Sequence, residues 1–266
     1  MEEKVIIVGG GVGPMAGVEL HRRIIENTIT DGTDQSHLEV YHLSRSADIP
    51  DRTQYLLGKE RRDPVLGMFR TFKIAYTALE ERNSLMKEKF LAVGGIPCNT
   101  FHAPAIFNRF LDMMNKNHIL IKIINMIEET AWLINETIGN VSKVGLLSTT
   151  GTRHFGVYRR MLESSGIQVT EVPENLQDEL HDTIYNREWG IKAVSPVSEK
   201  AKTNFERYAG ILAEQGVQAI ILGCTEIPLA LTGKTFHGIP LIDPMVALAR
   251  GLIRDANPKK LKPINF

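Results

Sequence analysis

The chain lacks both a charge excess and a long apolar run. It has 31 basic and 31 acidic side chains, and no apolar stretch reaches the ~18 residues that cross a bilayer. We therefore expect neither a nucleic-acid partner nor a membrane-embedded segment. The opening residues, MEEKVIIVGG, are acidic and lead directly into an apolar run, which argues against a signal peptide.

Cysteine is scarce, because the chain contains only Cys98 and Cys224. These two form no C-x-x-C pair and the eight histidines are scattered, so we predict no metal site. In a chain without an export signal, we expect both thiols to stay reduced in the cytoplasm. A structural disulfide is one competing interpretation, and two buried cysteines without a role is another.

Both cysteines have the same sequence context. An apolar run, LAVGG or AIILG, precedes each cysteine, and small polar residues follow it. The pattern predicts a buried strand that ends near the cysteine and turns into a helix. Free N–H groups and a partial positive charge at a helix N-terminus lower a thiol pKa and attract anions. We therefore predict two reactive thiols, each beside an anion site.

Short apolar runs alternate with amphipathic segments along the whole chain, which is typical of an α/β fold. The runs predicted as strands lie at 5–8, 38–43, 90–95, 119–125, 141–148, 167–172, 218–224 and 239–242. The strand at 141–148, the polar turn at 149–152 and one predicted helix that follows to about 165 resemble the start of the chain. We therefore predict two similar three-layer α/β/α halves with mainly parallel sheets.

The predicted halves each carry one cysteine. Residues 1–124 with 236–266 form the first half, which carries Cys98, and residues 125–235 form the second, which carries Cys224. Ligands of open parallel sheets bind at the carboxyl ends of the strands. We therefore expect the active site there, in the cleft between the halves.

The first predicted strand ends in a glycine-rich turn. Gly11, Gly13 and Ala16 match the G-x-G-x-x-A dinucleotide fingerprint, but the second strand runs into Ser44 and Arg45 instead of an acidic residue. Glycines also let backbone N–H groups approach a small anion. We favour that second interpretation.

Two cations could bind a carboxylate, but spacing alone does not single them out. Arg52 lies in the polar segment 48–59, which contains Pro50 and is predicted to be a loop. Its planar fork can hold both carboxylate oxygens. Lys192 precedes a predicted helix. Without further information, both are interpreted as solvated side chains.

Two thiols suit the inversion of a stereocentre beside a carboxylate. One group must remove the α-proton and another must return a proton to the opposite face. A cysteine pKa near 8.5 is easily shifted, so one member of a pair can be a thiolate while the other is a thiol. The backbone turns at Asn99/Thr100 and Thr225/Glu226 could stabilise the enolate-like charge. No lysine is marked out for a pyridoxal Schiff base, so we predict no cofactor.

Eight motifs along the chain form one pattern: GGVGP at 10–14, DRTQYLLGK at 51–59, PCNTFH at 97–102, MIEETA at 126–131, GLLSTTGT at 145–152, GIKA at 190–193, GCTEIPL at 223–229 and PLIDP at 240–244. With these motifs the chain resembles the aspartate racemase branch of the cofactor-independent Asp/Glu racemase family. The resemblance covers nearly the whole length. Glutamate racemases have His after Cys-Thr in the second cysteine motif, where this chain has Glu226.

The resemblance implies roles for the candidate site residues. Cys98 and Cys224 are the two bases, and Arg52 and Lys192 contact substrate carboxylates, which reverses the interpretation from spacing alone. The residues implied around the substrate are Asn99, Thr100, Thr150, Thr225 and Glu226. The implied protein is a cytoplasmic homodimeric isomerase that needs no cofactor and acts on a dicarboxylic amino acid.

Two positions depart from the family's first turn, which usually reads GGMGP followed by x-A-T. Val12 replaces the methionine and Gly17 the threonine. Side-chain preference is therefore open: aspartate leads, and glutamate comes second. We also consider a racemase of a different α-substituted acid such as a hydantoin, a malonate-type decarboxylase, and a non-catalytic amino-acid-binding relative. A decarboxylase needs only one cysteine, so the pair argues against it.

Overall fold

The structure is a computed structural model that describes residues 3–264, and it confirms the predicted α/β class. Strands and helices alternate, and the strands form two mainly parallel sheets. The chain divides into two compact units. The first contains the described residues up to Glu129 and those from Met245 onward, and the second runs from Thr130 to Pro244.

The sheet of the first unit has four parallel strands in the order β2-β1-β3-β4. The strands are β1 (Val5–Gly10), β2 (Val40–Ser44), β3 (Ala92–Gly95) and β4 (Ile121–Ile124). The helices that begin in this part of the chain are α1 (Pro14–Asn27), α2 (Arg52–Leu56), α3 (Pro64–Met86), α4 (Pro104–Lys116) and α5 (Met126–Ile138).

Helices cover both faces of strand β1, which explains why its sequence is continuously apolar. Val5 and Ile7 pack on one face of the sheet, in a cluster with residues of α3 and α4. Ile6 and Val8 pack on the other face, with residues of α1 and of the C-terminal helix. Successive strand side chains point to opposite faces, so a strand covered by helices on both sides needs apolar residues at every position.

The sheet of the second unit has five strands in the order β6-β5-β7-β9-β8. The strands are β5 (Lys143–Ser148), β6 (Gln168–Glu171), β7 (Ile220–Gly223), β8 (Thr235–Phe236) and β9 (Ile239–Ile242). Only β8 pairs antiparallel. The remaining helices are α6 (Thr150–His154), α7 (Arg159–Ser164), α8 (Glu174–Tyr185), α9 (Glu199–Glu214) and α10 (Pro244–Ala256).

The parallel strands of the two sheets follow the same topology. In each sheet the first strand in chain order lies between the second and the third, and the fourth follows the third. The prediction of two similar halves with mainly parallel sheets is therefore confirmed. Strands β3 and β7 are equivalent, and the chain reaches Cys98 after the first and Cys224 after the second.

The last strand differs from the sequence-based assignment. We expected the segment from about 236 to return to the first half, but β9 pairs with β7, Ile221 opposite Ile242. The first unit resumes only at Met245, within α10. Because β9 pairs with β7, the chain completes the second sheet before it returns to the first unit.

Two local predictions were wrong. The segment 48–59, expected as a loop, contains α2, because the Asp51 carboxylate caps the helix by accepting from the Gln54 N–H at 2.8 Å. The single helix expected after Thr150 is two short helices. Gly156 interrupts them with φ +58°, a left-handed conformation that glycine adopts readily.

Candidate active site

Cys98 lies in a tight, buried turn between β3 and α4. Its N–H donates to the Ile96 carbonyl at 2.8 Å, and its own carbonyl accepts from the Phe101 N–H at 3.2 Å. A short 3-10 turn, Thr100–His102, follows before α4 begins at Pro104. The thiol residue is only 7% exposed. The expected helix after this cysteine is therefore reached through a 3-10 turn.

The candidate polar residues of this turn are also buried. Asn99 and Thr100 follow Cys98 directly, and neither is more than 6% exposed. Burial of small polar groups beside a thiol is costly unless they have partners, and it marks the turn as more than a surface loop. The turn brings Cys98, Asn99 and Thr100 together in the first unit, as the sequence predicted.

Arg52 is buried at the start of α2 and is not the solvated side chain that spacing alone suggested. Its Nη1 donates to the Pro50 carbonyl at 3.1 Å, and its Nη2 donates to the Val12 carbonyl at 2.8 Å. The residue is 9% exposed. Arg52 thus binds the glycine-rich turn after β1, and a charged group fixes the backbone of that turn.

The glycine-rich turn and the first turns of α1 each contain one glycine at which a side chain would clash. Gly11 has φ +86°, and a Cβ there would lie 2.6 Å from the Arg45 backbone nitrogen. At Gly17, a Cβ would lie 2.3 Å from the His42 Nε2. His42 thus occupies the space that a threonine at position 17 would need. A side chain at position 17 would therefore require the His42 ring to move.

Cys224 has a charged environment in the second unit. Its thiol donates to the Glu226 Oε2 at 3.2 Å, and the Thr225 hydroxyl donates to the same oxygen at 2.7 Å. The Lys192 ammonium donates to the Glu226 Oε1 at 2.5 Å. Cys224, Thr225 and Glu226 are all buried. Four of the predicted site residues therefore form one bonded group, joined through the Glu226 carboxylate.

Burial and the Glu226 charge raise the pKa of the Cys224 thiol to about 12. Lys192 opposes this shift but does not cancel it. The expectation of a lowered thiol pKa is therefore wrong for Cys224. The segment that follows is only a 3-10 turn, Ile227–Leu229, whose partial charge is small beside a full carboxylate. The raised pKa favours the neutral thiol form of Cys224 at neutral pH.

The ion pair beside Cys224 keeps both of its members charged. Burial alone would raise the pKa of Glu226, but Lys192, Thr225 and Cys224 together hold that pKa below its ordinary value. Burial alone would lower the pKa of Lys192, but the Glu226 charge raises that pKa instead. A positive and a negative group therefore lie beside a neutral thiol in a buried environment.

Thr150 lies at the carboxyl end of β5, beside an open cavity. Its N–H donates to the His181 Nδ1 at 3.3 Å, and within residues 3–264 its buried Oγ1 has no hydrogen-bond partner. The cavity has a volume of about 440 Å³ and is lined further by Arg153, Arg160 and Gln177. A buried hydroxyl without a partner is costly, and it suits a bound polar group.

Two buried residues near the cysteines were not singled out from the sequence. His102, the last residue of the PCNTFH motif, is buried and hydrogen-bonds to the Cys98 carbonyl. Tyr158 is fully buried, which raises its pKa, and the charges of Asp243 and Cys224 act in the same direction. The position of His102 in the PCNTFH motif could have indicated that it lies near Cys98, whereas nothing in the sequence marks Tyr158.

Both cysteines are free thiols, and within the described part of the chain no group of three or more His, Cys, Asp or Glu residues could hold a metal ion. No described helix is both long and apolar enough to cross a membrane. Each cysteine turn offers a buried thiol, and a carboxylate and an ammonium lie beside the thiol of the second unit.

Comparison with known proteins identifies the family. The family model for Asp/Glu/hydantoin racemases matches residues 10–252 of the 266. The chain therefore belongs to the Asp/Glu/hydantoin racemase family. This membership makes the protein an enzyme of the racemase type, an isomerase.

Solved structures of racemases share the fold. The Picrophilus torridus aspartate racemase is 25% identical, with 98% of this chain and 96% of that chain covered at a TM-score of 0.72. An aspartate racemase homologue from Pyrococcus horikoshii is 22% identical, with 96% and 99% covered and a TM-score of 0.65. Glutamate racemase from Francisella tularensis, solved with D-glutamate, is 17% identical, with 99% and 84% covered and a TM-score of 0.56.

Proposed function

We propose that this protein interconverts the L and D enantiomers of aspartate without a cofactor, using Cys98 and Cys224 as its two acid–base groups. One observation supports this most strongly. In a member of a racemase family, the only two cysteines are buried and follow topologically equivalent strands, β3 and β7. The 25% identical structure with full-length coverage is an aspartate racemase, which favours aspartate.

The reaction requires one thiolate and one thiol. Cys98, as the thiolate, removes the α-proton and becomes a thiol, while Cys224 donates its proton to the opposite face and becomes a thiolate. No proton is consumed overall, and the two groups have exchanged roles for the reverse direction. The raised pKa of Cys224 supports its assignment as the resting proton donor.

Glu226 and Lys192 give the Cys224 thiol its direction and its counter-charge. The hydrogen bond from the thiol to the Glu226 Oε2 fixes the position of the proton that is donated. When Cys224 becomes a thiolate, the Lys192 charge offsets the new negative charge, because it already acts to lower the Cys224 pKa. The neighbouring hydroxyl of Thr225 completes the group.

We propose that Arg52 and Lys192 contact substrate carboxylates, with Asn99, Thr100, Thr150, Thr225 and Glu226 around them. An ammonium has three N–H donors, and the bond to Glu226 uses one of those of Lys192. Lys192 can therefore bind a carboxylate while it keeps its buried partner. The hydroxyl of Thr150, which has no partner within residues 3–264, suits the same polar substrate.

A second candidate is a racemase of another α-substituted acid. Both cations that would select a dicarboxylate are already engaged by the protein, Lys192 by Glu226 and Arg52 by two backbone carbonyls. A substrate with one carboxylate would need fewer contacts with these two cations than a dicarboxylate. The family as a whole includes hydantoin racemases, which fits this candidate.

Proton NMR in deuterated water tests the proposal. L- and D-aspartate, both enantiomers of glutamate, alanine and a 5-substituted hydantoin would each be incubated with the enzyme. Exchange of the Cα proton reports deprotonation whichever product forms, and the Cys98→Ser/Cys224→Ser double variant is the control. We expect the fastest exchange with aspartate. Fast exchange with the hydantoin and none with aspartate would favour the second candidate, and no exchange with any compound would refute both.

We also propose, from the family resemblance, that the enzyme is a cytoplasmic homodimer. Two free buried thiols are compatible with a reducing compartment. Light scattering of the purified protein would measure its mass against the 29.8 kDa of one chain. A mass of a single chain at micromolar concentration would contradict the dimer.

A further inference from the structure

His102 is a buried ionisable group that the proposed proton transfers do not use. It lies in the 3-10 turn after Cys98 and is 5% exposed. Its Nδ1 lies 2.8 Å from the Cys98 carbonyl oxygen, and its Nε2 lies 3.3 Å from the Met126 backbone nitrogen. Both ring nitrogens are thus within hydrogen-bond distance of backbone groups in the first unit.

The two partners define the tautomer of the ring. A carbonyl oxygen can only accept, so Nδ1 must carry the proton and donate it to Cys98. A backbone N–H can only donate, so Nε2 must be unprotonated and accept from Met126. The ring is therefore neutral with its proton on Nδ1. Burial lowers the pKa of His102 to about 4, which keeps the ring in this state at neutral pH.

The ring joins two neighbouring strand ends. Cys98 follows β3, and Met126 begins α5 just after β4, the strand paired with β3. The Phe107 ring lies 4.7 Å from the His102 ring, centroid to centroid, and limits its rotation. The thiol-bearing turn is thus tied through one imidazole to the first residue of the next helix.

We propose that His102 is a positioning residue for Cys98, which holds the thiol-bearing turn by donating from Nδ1 to the Cys98 carbonyl while Met126 fixes the ring through Nε2. This inference concerns geometry, and its effect on turnover rests on the proposed function. The position four residues after Cys224 is Pro228, which has no donor in its side chain. A hydrogen bond equivalent to that of His102 therefore cannot come from this position of the second turn.

The tautomer can be measured in the unmodified protein. In a sample with ¹⁵N-labelled histidine, the ring nitrogen shifts of His102 distinguish the Nδ1–H form from the Nε2–H form. We expect the Nδ1–H form, unchanged between pH 8 and pH 5.5. An Nε2–H form or an imidazolium in this range would overturn the proposal, whether or not the protein is a racemase.

Two variants of His102 separate its two hydrogen bonds. The amide of asparagine occupies the place of Nδ1, so His102→Asn can still donate to the Cys98 carbonyl. The longer glutamine places its amide near Nε2, so His102→Gln keeps the Met126 bond and loses the one to Cys98. Both variants bury an amide, so a general loss of packing affects both. His118→Asn is the matched control, because His118 is exposed in the same unit and asparagine tolerates its positive φ.

The readout is alkylation of each cysteine by iodoacetamide, resolved by peptide mass, together with kcat and KM. In His102→Gln we expect Cys98 to react roughly two- to tenfold faster, the range set by one lost hydrogen bond, and Cys224 to react unchanged. We expect its kcat to fall by as much as ~100-fold at nearly constant KM, the effect of an ångström-scale misplacement. His102→Asn should stay near wild type in both.

Equal or larger effects in His102→Asn would overturn the positioning role. Suppose that Cys98 is alkylated faster in His102→Gln but the wild type shows no measurable turnover. The positioning role would then hold, and the proposed function would be contradicted. The two failures are therefore distinguishable.

Discussion

The Cys98 turn and the Cys224 turn occupy equivalent places in similar sheets but have different chemistry. At Cys98 the polar contacts are neutral and involve the backbone, chiefly the hydrogen bond from His102 to its carbonyl. At Cys224 the sulfur itself donates to a carboxylate, which is paired with an ammonium. The two thiols therefore lie at equivalent places in the topology, but only Cys224 has a charged side chain bonded to its sulfur.

This difference supports the roles proposed for the two thiols. A thiol beside a buried carboxylate holds its proton, and the raised pKa of about 12 fits Cys224 as the proposed proton donor. A catalytic pair that began with two thiolates would suffer charge repulsion, and one with two thiols would lack a base. The proposed mechanism therefore needs two thiols in unequal environments.

The largest effect is expected from removal of either thiol. Cys98→Ser and Cys224→Ser should each lower the racemisation rate by at least ~10³-fold, since a serine hydroxyl is a far weaker acid–base group at neutral pH. Circular dichroism of aspartate samples follows the racemisation. A rate within tenfold of wild type in either variant would contradict the two-base mechanism.

A smaller effect, on stability, is expected at the Lys192–Glu226 pair. Lys192→Met leaves the buried Glu226 carboxylate without its counter-charge, which should cost about 3–5 kcal/mol in the free energy of unfolding. The double variant Lys192→Met/Glu226→Gln should recover most of this loss. Urea denaturation measures both. Equal destabilisation in the single and double variants would show that the pair does not act as a coupled unit.

Stability against pH should report His102. Its pKa is about 4 in the folded protein and near 6.5 when unfolded, so the unfolded chain binds the proton first as pH falls. The contribution of the neutral ring to the free energy of unfolding is fully present above about pH 6.5. It is lost between that pH and about 4, by an amount on the order of 3 kcal/mol. As pH falls across this window, the free energy of unfolding of the wild type should decrease relative to that of His102→Asn, which lacks the titrating ring. A constant difference would be evidence against a buried neutral ring.

The smallest effect is expected at the contact between Gly17 and His42. Gly17→Ala places a methyl group 2.3 Å from the His42 ring nitrogen and should cost about 1–3 kcal/mol through overpacking. His42→Ala removes the obstacle, so the double variant should be more stable than the sum of the two single changes predicts. Thermal unfolding of the four proteins forms the cycle. Additive effects would mean that the two residues do not compete for space.

Features that depend on local pattern could be predicted from the sequence. Continuous apolar runs such as 5–8 indicated buried parallel strands, and the repeated context of Cys98 and Cys224 indicated equivalent turns. The polar residues adjacent to each cysteine in the chain were found for the same reason. These features follow from periodicity and from neighbours in sequence.

Features that depend on distant contacts could not be predicted. Lys192 and Glu226 lie 34 residues apart, and nothing in their spacing shows that they form a buried ion pair. The expectation of a lowered pKa at Cys224 failed because it counted the helix terminus and not this carboxylate. Arg52 likewise looked solvated, because its partners are backbone carbonyls, one of which lies 40 residues away.

Proton exchange in the single-cysteine variants tests the central claim most directly. Cys98→Ser and Cys224→Ser would each be incubated with L-aspartate and with D-aspartate in deuterated water, and loss of the Cα proton followed by NMR. We expect that neither variant racemises aspartate and that the two variants exchange opposite enantiomers. Exchange by Cys98→Ser should be the slower and should rise with pH, because the pKa of its remaining thiol, Cys224, is raised. Exchange of the same enantiomer by both variants, or of both enantiomers by either one, would contradict the assignment of one thiol to each face.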